Sequence, residues 1–337
     1  LRVCFGGIGG ISMSGIAIYL KRHGYFVFGC DSFLSQKSVS FLESNGVNVV
    51  CDDSSLFAHL EYLKPDCIVF TNTVSNEHCA YKYAIKSNMK TFTRAELLGR
   101  ILKDKKVIGV TGAHGKTSTT GMIAYILMRS GYSPTVFIGG FMQGIDSNVV
   151  CGDSDYAVVE ADDAYRSFLT LTPFVSVVTT ISFEHVEEYE SLKDVENTFL
   201  KYVNQTKTNG IAIINADYRK MQKWALSIDT ERVIFYGLSD SFNYYAKRLK
   251  LSPFSSIYDL YRNNKLVGRV YLPIPGEHHV NNSIAAIATA DFLGIEIKEA
   301  LSHLKIYSGV ERRFHKIGKY NGTTVYDDYG HHPNEIK

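Results

Sequence analysis

Val107-Ile108-Gly109-Val110-Thr111-Gly112-Ala113-His114-Gly115-Lys116-Thr117-Ser118-Thr119-Thr120 is the stretch whose reading decides the fold. It opens on a short apolar run, 107–110, that reads as a buried strand. A glycine-containing turn follows, and then Met122, Ile123, Ile126 and Leu127 recur at helical spacing. Strand, glycine loop, lysine, hydroxyl and helix are the parts of a phosphate cradle. Loop N–H groups point at a polyphosphate, and the helix N-terminus adds partial positive charge. In such a loop Lys116 reaches the β- and γ-phosphates and the Thr117 hydroxyl ligates Mg²⁺. The usual spacing asks for glycine at position 110, where this chain has Val110 between Gly109 and Gly112. The plain alternative is a tight strand-to-helix turn with an incidental Gly-Lys-Thr.

The surrounding composition suits an ordinary globular protein. The chain has 337 residues, 45% hydrophobic and 21% charged, with seven prolines, enough for two or three domains. A net charge of +2 from 36 basic and 34 acidic side chains offers no field for nucleic acid or a membrane surface. No apolar run approaches the length of a membrane span, and no signal peptide is visible. The six cysteines are scattered and form no C-x-x-C pair. Most lie in or beside apolar runs, so buried thiols in a reducing, cytoplasmic setting are the expectation. The chain begins at Leu1 inside a strand and stops at Lys337 without a helix-ending signal, so both ends read as cut.

Taken in order, residues 2–5 form a strand that runs into Gly6-Gly7-Ile8-Gly9-Gly10, followed by a helix with Ile16, Ala17 and Leu20 on one face. A second strand, 26–30, ends at Asp31-Ser32. This is the opening βαβ unit of a Rossmann-like domain. The strict dinucleotide fingerprint fails, because Gly7-x-Gly9 is followed three later by Ser12. The turn speaks more for a diphosphate at a helix N-terminus, or for a glycine turn that only lets strand and helix pack. Strands at 47–51, 67–70 and 91–93 and helices at 78–87 and from 94 to about 102 continue the alternation. The lysine cluster at 103–106 reads as a solvated linker, so one domain spans 1–103. A phosphate-loop domain over 104–322 follows, with strands at 107–110, 135–138, 157–160, 175–179, 211–215 and 233–236. Shorter alternating runs, 256–261 and 266–272, suggest a small antiparallel sheet appended to it. Helices read at 281–293 and 297–304, and a strand pair lies around 318–326. Residues 323–337 read as the start of a further domain that the chain does not complete. The fold class is therefore α/β: a Rossmann-like N-terminal domain, then a P-loop ATPase-type central domain with a small antiparallel sheet.

A phosphate loop needs a metal site. Glu160-Ala161-Asp162-Asp163 and Ser182-Phe183-Glu184-His185 both stand just past buried strands, where hard oxygen ligands and an imidazole suit Mg²⁺ chemistry. Each alone could equally be a helix cap, a solvated loop or a structural histidine.

Six segments in order resemble the Mur ligases of peptidoglycan synthesis over essentially the whole chain. They are Thr111 through Thr117, Glu160-Ala161-Asp162, Glu184-His185, Pro275-Gly276-Glu277-His278 with Asn282, Gly309-x-x-Arg312-Arg313-Phe314, and Asp327-Asp328-Tyr329-Gly330-His331-His332-Pro333. The opening Gly7 to Gly10, with Met13-Ser14-Gly15 and Asp31, is similar to the branch that acts first. That branch joins L-alanine to UDP-N-acetylmuramate with ATP and Mg²⁺. The resemblance implies that Gly112, Ala113, His114, Gly115, Lys116, Thr117 and Ser118 hold ATP. It places His278 and Asn282 by the nucleotide, and Arg313 and Asp328 at a hinge over it. Lys116, Glu160 and His185 are the implied catalytic residues, with Thr117, Glu160 and His185 as magnesium ligands. Gly7, Ile8, Gly9 and Gly10 would bind the UDP diphosphate, and Asp31 and Ser32 would help place the uridine. The implied reaction activates the muramoyl carboxylate as an acyl phosphate, which the amine of alanine attacks.

The chain departs from the family pattern at Thr180, Ser182 and Glu184, where Asn, Glu and Asp are usual, and at Asp162-Asp163-Ala164. These changes bear on the second metal site. Two of the family's three domains are covered, so a chain of this extent is expected to be inactive alone. A ligase that adds a recycled tripeptide to the same sugar nucleotide, a sugar-nucleotide-binding module without turnover, and an NAD oxidoreductase are the rival readings.

Overall fold

The computed structural model describes residues 1–53, 55–72, 74–217, 219–228 and 233–330. The chain divides into two compact units, Leu1–Lys103 with Asn148–Cys151, and Asp104–Ser147 with Gly152–Lys337.

The first unit alternates β1 (Arg2–Gly6), α1 (Ile11–Arg22), β2 (Phe26–Asp31), α2 (Lys37–Ser44), β3 (Asn48–Cys51), α3 (Leu56–Leu63), β4 (Cys67–Phe70), α4 (Cys79–Lys86), β5 (Lys90–Thr93) and α5 (Arg94–Ile101). Its sheet is parallel, in the order β3-β2-β1-β4-β5. The order reverses around β1, so the turn after Gly6 opens at the carboxyl edge where doubly wound sheets bind ligands. Val3, Cys4, Phe5, Val27, Phe28 and Ile68 are all buried, as expected of strands covered on both faces. α1 buries Ile16, Ala17 and Leu20 together. Gly29 is a point of close approach, since a Cβ there would lie 2.5 Å from the Phe5 carbonyl oxygen and 2.8 Å from Ile8.

The second unit opens with β6 (Lys106–Thr111) and α6 (Lys116–Arg129), then β7 (Thr135–Met142), β8 (Ser147–Val150), β9 (Tyr156–Glu160) and β10 (Pro173–Val178). β8 lies largely in the segment that groups with the first unit. α7 (Leu192–Asn204), β11 (Ile211–Asn215), α8 (Arg219–Ala225) and β12 (Val233–Gly237) follow, then β13 (Tyr244–Ser252), β14 (Ser255–Arg262) and β15 (Lys265–Leu272). α9 (Glu277–Phe292), α10 (Ile297–Leu304) and the pair β16 (His315–Tyr320) and β17 (Thr323–Asp327) close the described part. Strand order within the unit is β15-β14-β13-β12-β11-β10-β6-β9-β7. β6 is central, flanked by parallel β9 and β10, so whatever leaves its carboxyl end is surrounded by the ends of both neighbours. α6 packs on β6, and α9 packs on α6 and on β11 to β13, with Met122, Ile123, Ile126, Leu127, Ile284 and Ile287 fully buried.

The antiparallel strands are not a separate sheet. β13 pairs in parallel with β12, and β14 and β15 then extend the same sheet antiparallel. The sequence reading missed β13, whose second half is rich in lysine and arginine and largely exposed. The turn of the β16–β17 hairpin falls at 321–322, where the sequence suggested a boundary, and 315–327 pair as one piece. Of the cysteines, Cys4 and Cys30 are buried, Cys67, Cys79 and Cys151 are half-buried and Cys51 is exposed. The expectation of uniformly buried thiols is thus corrected at the strand end that carries Cys51. Among the described residues no helix is long and apolar enough to cross a membrane.

Two stability measurements follow from these contacts. Gly29→Ala is expected to destabilise the protein by about 2 kcal/mol or more, because its methyl meets backbone that cannot repack; urea unfolding within a few tenths of wild type would contradict the close approach. His279, in the first turn of α9, is buried, and burial foremost, then His278 and Arg313, hold its pKa well below the usual range. The unfolded chain therefore takes up a proton that the folded one refuses. Stability should fall as pH drops below about 6.5, by at most about 1.4 kcal/mol per pH unit for this proton, and His279→Asn should flatten that slope.

Candidate active site

The glycine loop of the second unit is built from the ends of three strands. β6 ends at Thr111, and Gly112 follows with φ 137°, a conformation and a space open only to glycine: a Cβ would lie 2.2 Å from Thr179 Oγ1. The segment just past β10 clasps the loop. Ala113 N–H donates to the Thr180 carbonyl at 3.0 Å and His114 N–H to Thr180 Oγ1 at 2.9 Å, while Thr179 Oγ1 donates to the His114 carbonyl at 2.5 Å. Gly115 (φ 82°) then turns the chain into α6, whose N-terminus no side chain caps. Asn282, buried on α9, lies against that turn, its Oδ1 2.6 Å from where a Gly115 Cβ would be. An uncapped helix start behind a glycine loop is a place for anionic oxygen.

Lys116 folds back over the loop. Its Nζ donates to the Gly112 carbonyl at 2.6 Å and to Asp163 Oδ1 at 2.8 Å. Burial works to lower its pKa, but Asp163 above all, with Asp162 and Glu160, outweighs it and leaves the ammonium more firmly charged than usual. Glu160, at the end of β9, accepts from Thr117 Oγ1 at 3.0 Å and from Gly139 N–H at 2.8 Å. Its burial raises the carboxyl pKa, against the lowering pull of Gly139, Lys116, Thr117 and Arg313. Hydroxyl and carboxylate thus converge beside a phosphate cradle, and this all-oxygen donor set fits Mg²⁺. Arg313 Nη2 stands 3.4 Å from Thr117 Oγ1. Asp328 acts on that segment through backbone, accepting from Phe314 N–H and Gly330 N–H at 2.7 Å each.

Other expected residues fall elsewhere. His185 (φ 54°) clusters with Glu187 and Glu188, and among the described residues no hydrogen bond or ion pair joins it to Glu160. Glu184 instead faces His114, 3.1 Å from Nε2. The His278 ring packs on His279 at 4.1 Å. His331, His332 and Pro333 of the closing motif lie outside the described residues. Asp163 was not singled out from the sequence as a partner of Lys116, though its place three past a strand end was the available signal. The two residues after Ala164, Tyr165 and Arg166, both hold left-handed φ near 50° (53° and 52°). Tyr165 N–H bonds Glu188, and Arg166 pairs with Asp194 at 2.7 Å. Such conformations persist only where surroundings enforce them, and here they shape the turn that carries Asp163.

In the first unit, Gly7 (φ 76°) and Ile8 donate their N–H groups to the Cys30 carbonyl at 2.9 and 3.0 Å. Gly9 N–H donates to Asp31 Oδ2 at 2.8 Å, and Phe33 N–H to Asp31 Oδ1 at 3.0 Å. Asp31 therefore points inward and ties β2 to the turn, while Ser32 is exposed. Gly10 starts α1 with no side-chain cap. Arg94, remote in sequence, reaches Ser12 in that first turn at 3.0 Å; nothing local in the sequence announces it.

Comparison with known proteins gives this geometry its context. Residues 2–106 match the model described as Mur ligase family, catalytic domain, and residues 110–290 match the Mur ligase middle domain. A UDP-N-acetylmuramate–L-alanine ligase of Caldicellulosiruptor bescii is 36% identical over 99% of this chain and 72% of its own length. The enzyme of that name from Clostridium acetobutylicum is 36% identical over 100% and 72%. Among solved structures, UDP-N-acetylmuramate-alanine ligase MurC of Thermotoga maritima superposes with a TM-score of 0.89 at 27% identity, covering 99% of this chain and 75% of that one. The UDP-N-acetylmuramate:L-alanyl-gamma-D-glutamyl-meso-diaminopimelate ligase of Neisseria meningitides gives 0.84 at 25% identity, over 92% and 99%. Both parallel-sheet domains are thus those of a known group, and this chain belongs to the Mur ligase family.

Proposed function

We infer that this chain is the ATP-dependent, ADP-forming ligase that joins L-alanine to UDP-N-acetylmuramate in peptidoglycan synthesis, acting in the cytoplasm. The observation that carries the reading is the convergence of Lys116, Thr117 and Glu160 on one glycine loop, in a chain whose similar enzymes carry that name. A carboxylate and an amine do not condense in water unaided. The γ-phosphoryl group passes to the muramoyl carboxylate, giving an acyl phosphate and ADP. The alanine amine then attacks the acyl carbon, forms the amide and releases phosphate. Charge builds on the transferred group, and Lys116 and the uncapped start of α6 would face it. Thr117 and Glu160 would hold Mg²⁺, with His185 as a further ligand, and a bound ion supplies Lewis-acid neutralisation at the phosphate oxygens. His278, Asn282 and Arg313 would border the nucleotide. The first-unit turn Gly7 to Gly10 would take the UDP diphosphate at the start of α1.

In the resting site Asp163 occupies the Lys116 ammonium that the phosphates need. ATP has to displace this contact, and Asp163 is then free to face the metal or its water.

ADP release by the full-length protein with UDP-N-acetylmuramate should depend strictly on L-alanine; release with a tripeptide but not with alanine would transfer the assignment to a peptide-adding ligase of the kind the Neisseria structure is named for. Lys116→Ala should abolish that release while UDP-sugar binding, measured calorimetrically, is retained. Asp163→Asn strands a buried ammonium and is expected to cost about 3 kcal/mol of nucleotide-free stability. Added ATP should raise the melting temperature of that variant more than that of wild type. An equal shift would show that Asp163 does not compete with phosphate.

A further inference from the structure

Three side chains clustered in the first unit have no part in the ligase reading. Cys30, the last residue but one of β2, has its side chain fully buried, Asp52 follows β3, and His78 is the N-cap of α4. Their ligand atoms, a thiol sulfur, a carboxylate oxygen and an imidazole nitrogen, all lie within 4.8 Å of one another. His78 Nε2 is 2.8 Å from Asp52 Oδ2. A His–Asp pair that caps a helix accounts for two of these groups. It does not account for a thiol turned toward both.

We propose that Cys30, Asp52 and His78 form a binding site for a thiophilic divalent cation of the zinc type. Thiolate, imidazole and carboxylate together are a borderline-soft set that suits Zn²⁺ or Co²⁺ and is wrong for Mg²⁺ or Ca²⁺, which take oxygen alone. Three ligands on separate strand and helix ends leave a fourth position. Water can fill it. Access is from the Asp52 and His78 side, where the side chains keep 20% and 12% exposure, while Cys30 seals the interior side.

Binding moves two protons. The Cys30 S–H proton leaves to solvent as the sulfur–metal bond forms. The neutral ring of His78 now accepts at Nδ1 from Ala80 N–H at 3.1 Å, so its own hydrogen sits on Nε2, toward Asp52. Metal at Nε2 sends that hydrogen to Nδ1, and the cap on α4 is released. Occupancy is therefore coupled to the start of α4. It is coupled also to the glycine turn, because the carbonyl of Cys30 holds Gly7 and Ile8.

Co²⁺ titrated into the reduced protein tests the site, because a thiolate ligand produces a near-ultraviolet charge-transfer band that the oxygen-lined Thr117–Glu160 site cannot produce. The expected result is one Co²⁺ per chain with that band, displaced by Zn²⁺. Cys30→Ser should abolish the band, and Cys51→Ser should leave it unchanged. His78→Asn keeps a good helix cap and so keeps the fold; it and Asp52→Asn should each weaken binding about tenfold or more, since loss of a ligand exceeds the usual cost of losing a ligand's support. No thiolate band in wild type, or a band that survives in Cys30→Ser, overturns the proposal.

Discussion

A lysine ammonium folded into a loop, away from most water, needs a counter-charge, and in this protein Asp163 and Glu160 provide it. The loop can be so tight only because Gly112 and Gly115 adopt backbone angles that other residues resist. The tightness brings Lys116 back onto its own carbonyls, where desolvation works against the charge that the acids support. Each acid is in turn held by a strand end: Glu160 by Thr117 and Gly139 N–H, Asp163 by the strained turn at Tyr165 and Arg166. Charge balance at this loop thus depends on three adjacent parallel strands ending at one level.

That level is set by the sheet. Parallel strands need helical crossovers, and the crossovers place every strand's carboxyl end on one edge. β6 sits between β9 and β10 in close register, with Val110 opposite Glu160 and Val177. The loop that leaves β6 therefore meets a carboxylate on one side and the hydroxyls of Thr179 and Thr180 on the other. The first unit repeats the principle in its own sheet. There β1 lies between β2 and β4, and the turn after Gly6 is tied to β2 through the Cys30 carbonyl and the Asp31 carboxylate.

Both α/β layers were legible in the sequence because buried parallel strands are short apolar runs bounded by glycine or polar turns. The runs at 67–70, 107–110 and 211–215 correspond to strands found there. β13 was harder to read because its second half is basic and exposed, with only Leu249 and Leu251 alternating. α9 begins earlier than the apolar pattern suggested, since its first turn is the polar Glu277-His278-His279, and the burial of His279 depends on neighbours far away in sequence.

The sequence by itself determined the local chemistry: where glycine allows a left-handed turn, where a lysine and a hydroxyl follow it, and which apolar runs become strands. Those properties depend on neighbours within a few residues. Which charges meet was decided only by the tertiary structure. Lys116 finds Asp163, Glu184 turns to His114, Arg94 reaches Ser12, and Cys30 comes beside Asp52 and His78. Each of these pairs is fixed by strand order and crossover, and no local pattern of residues records which strand ends will be neighbours.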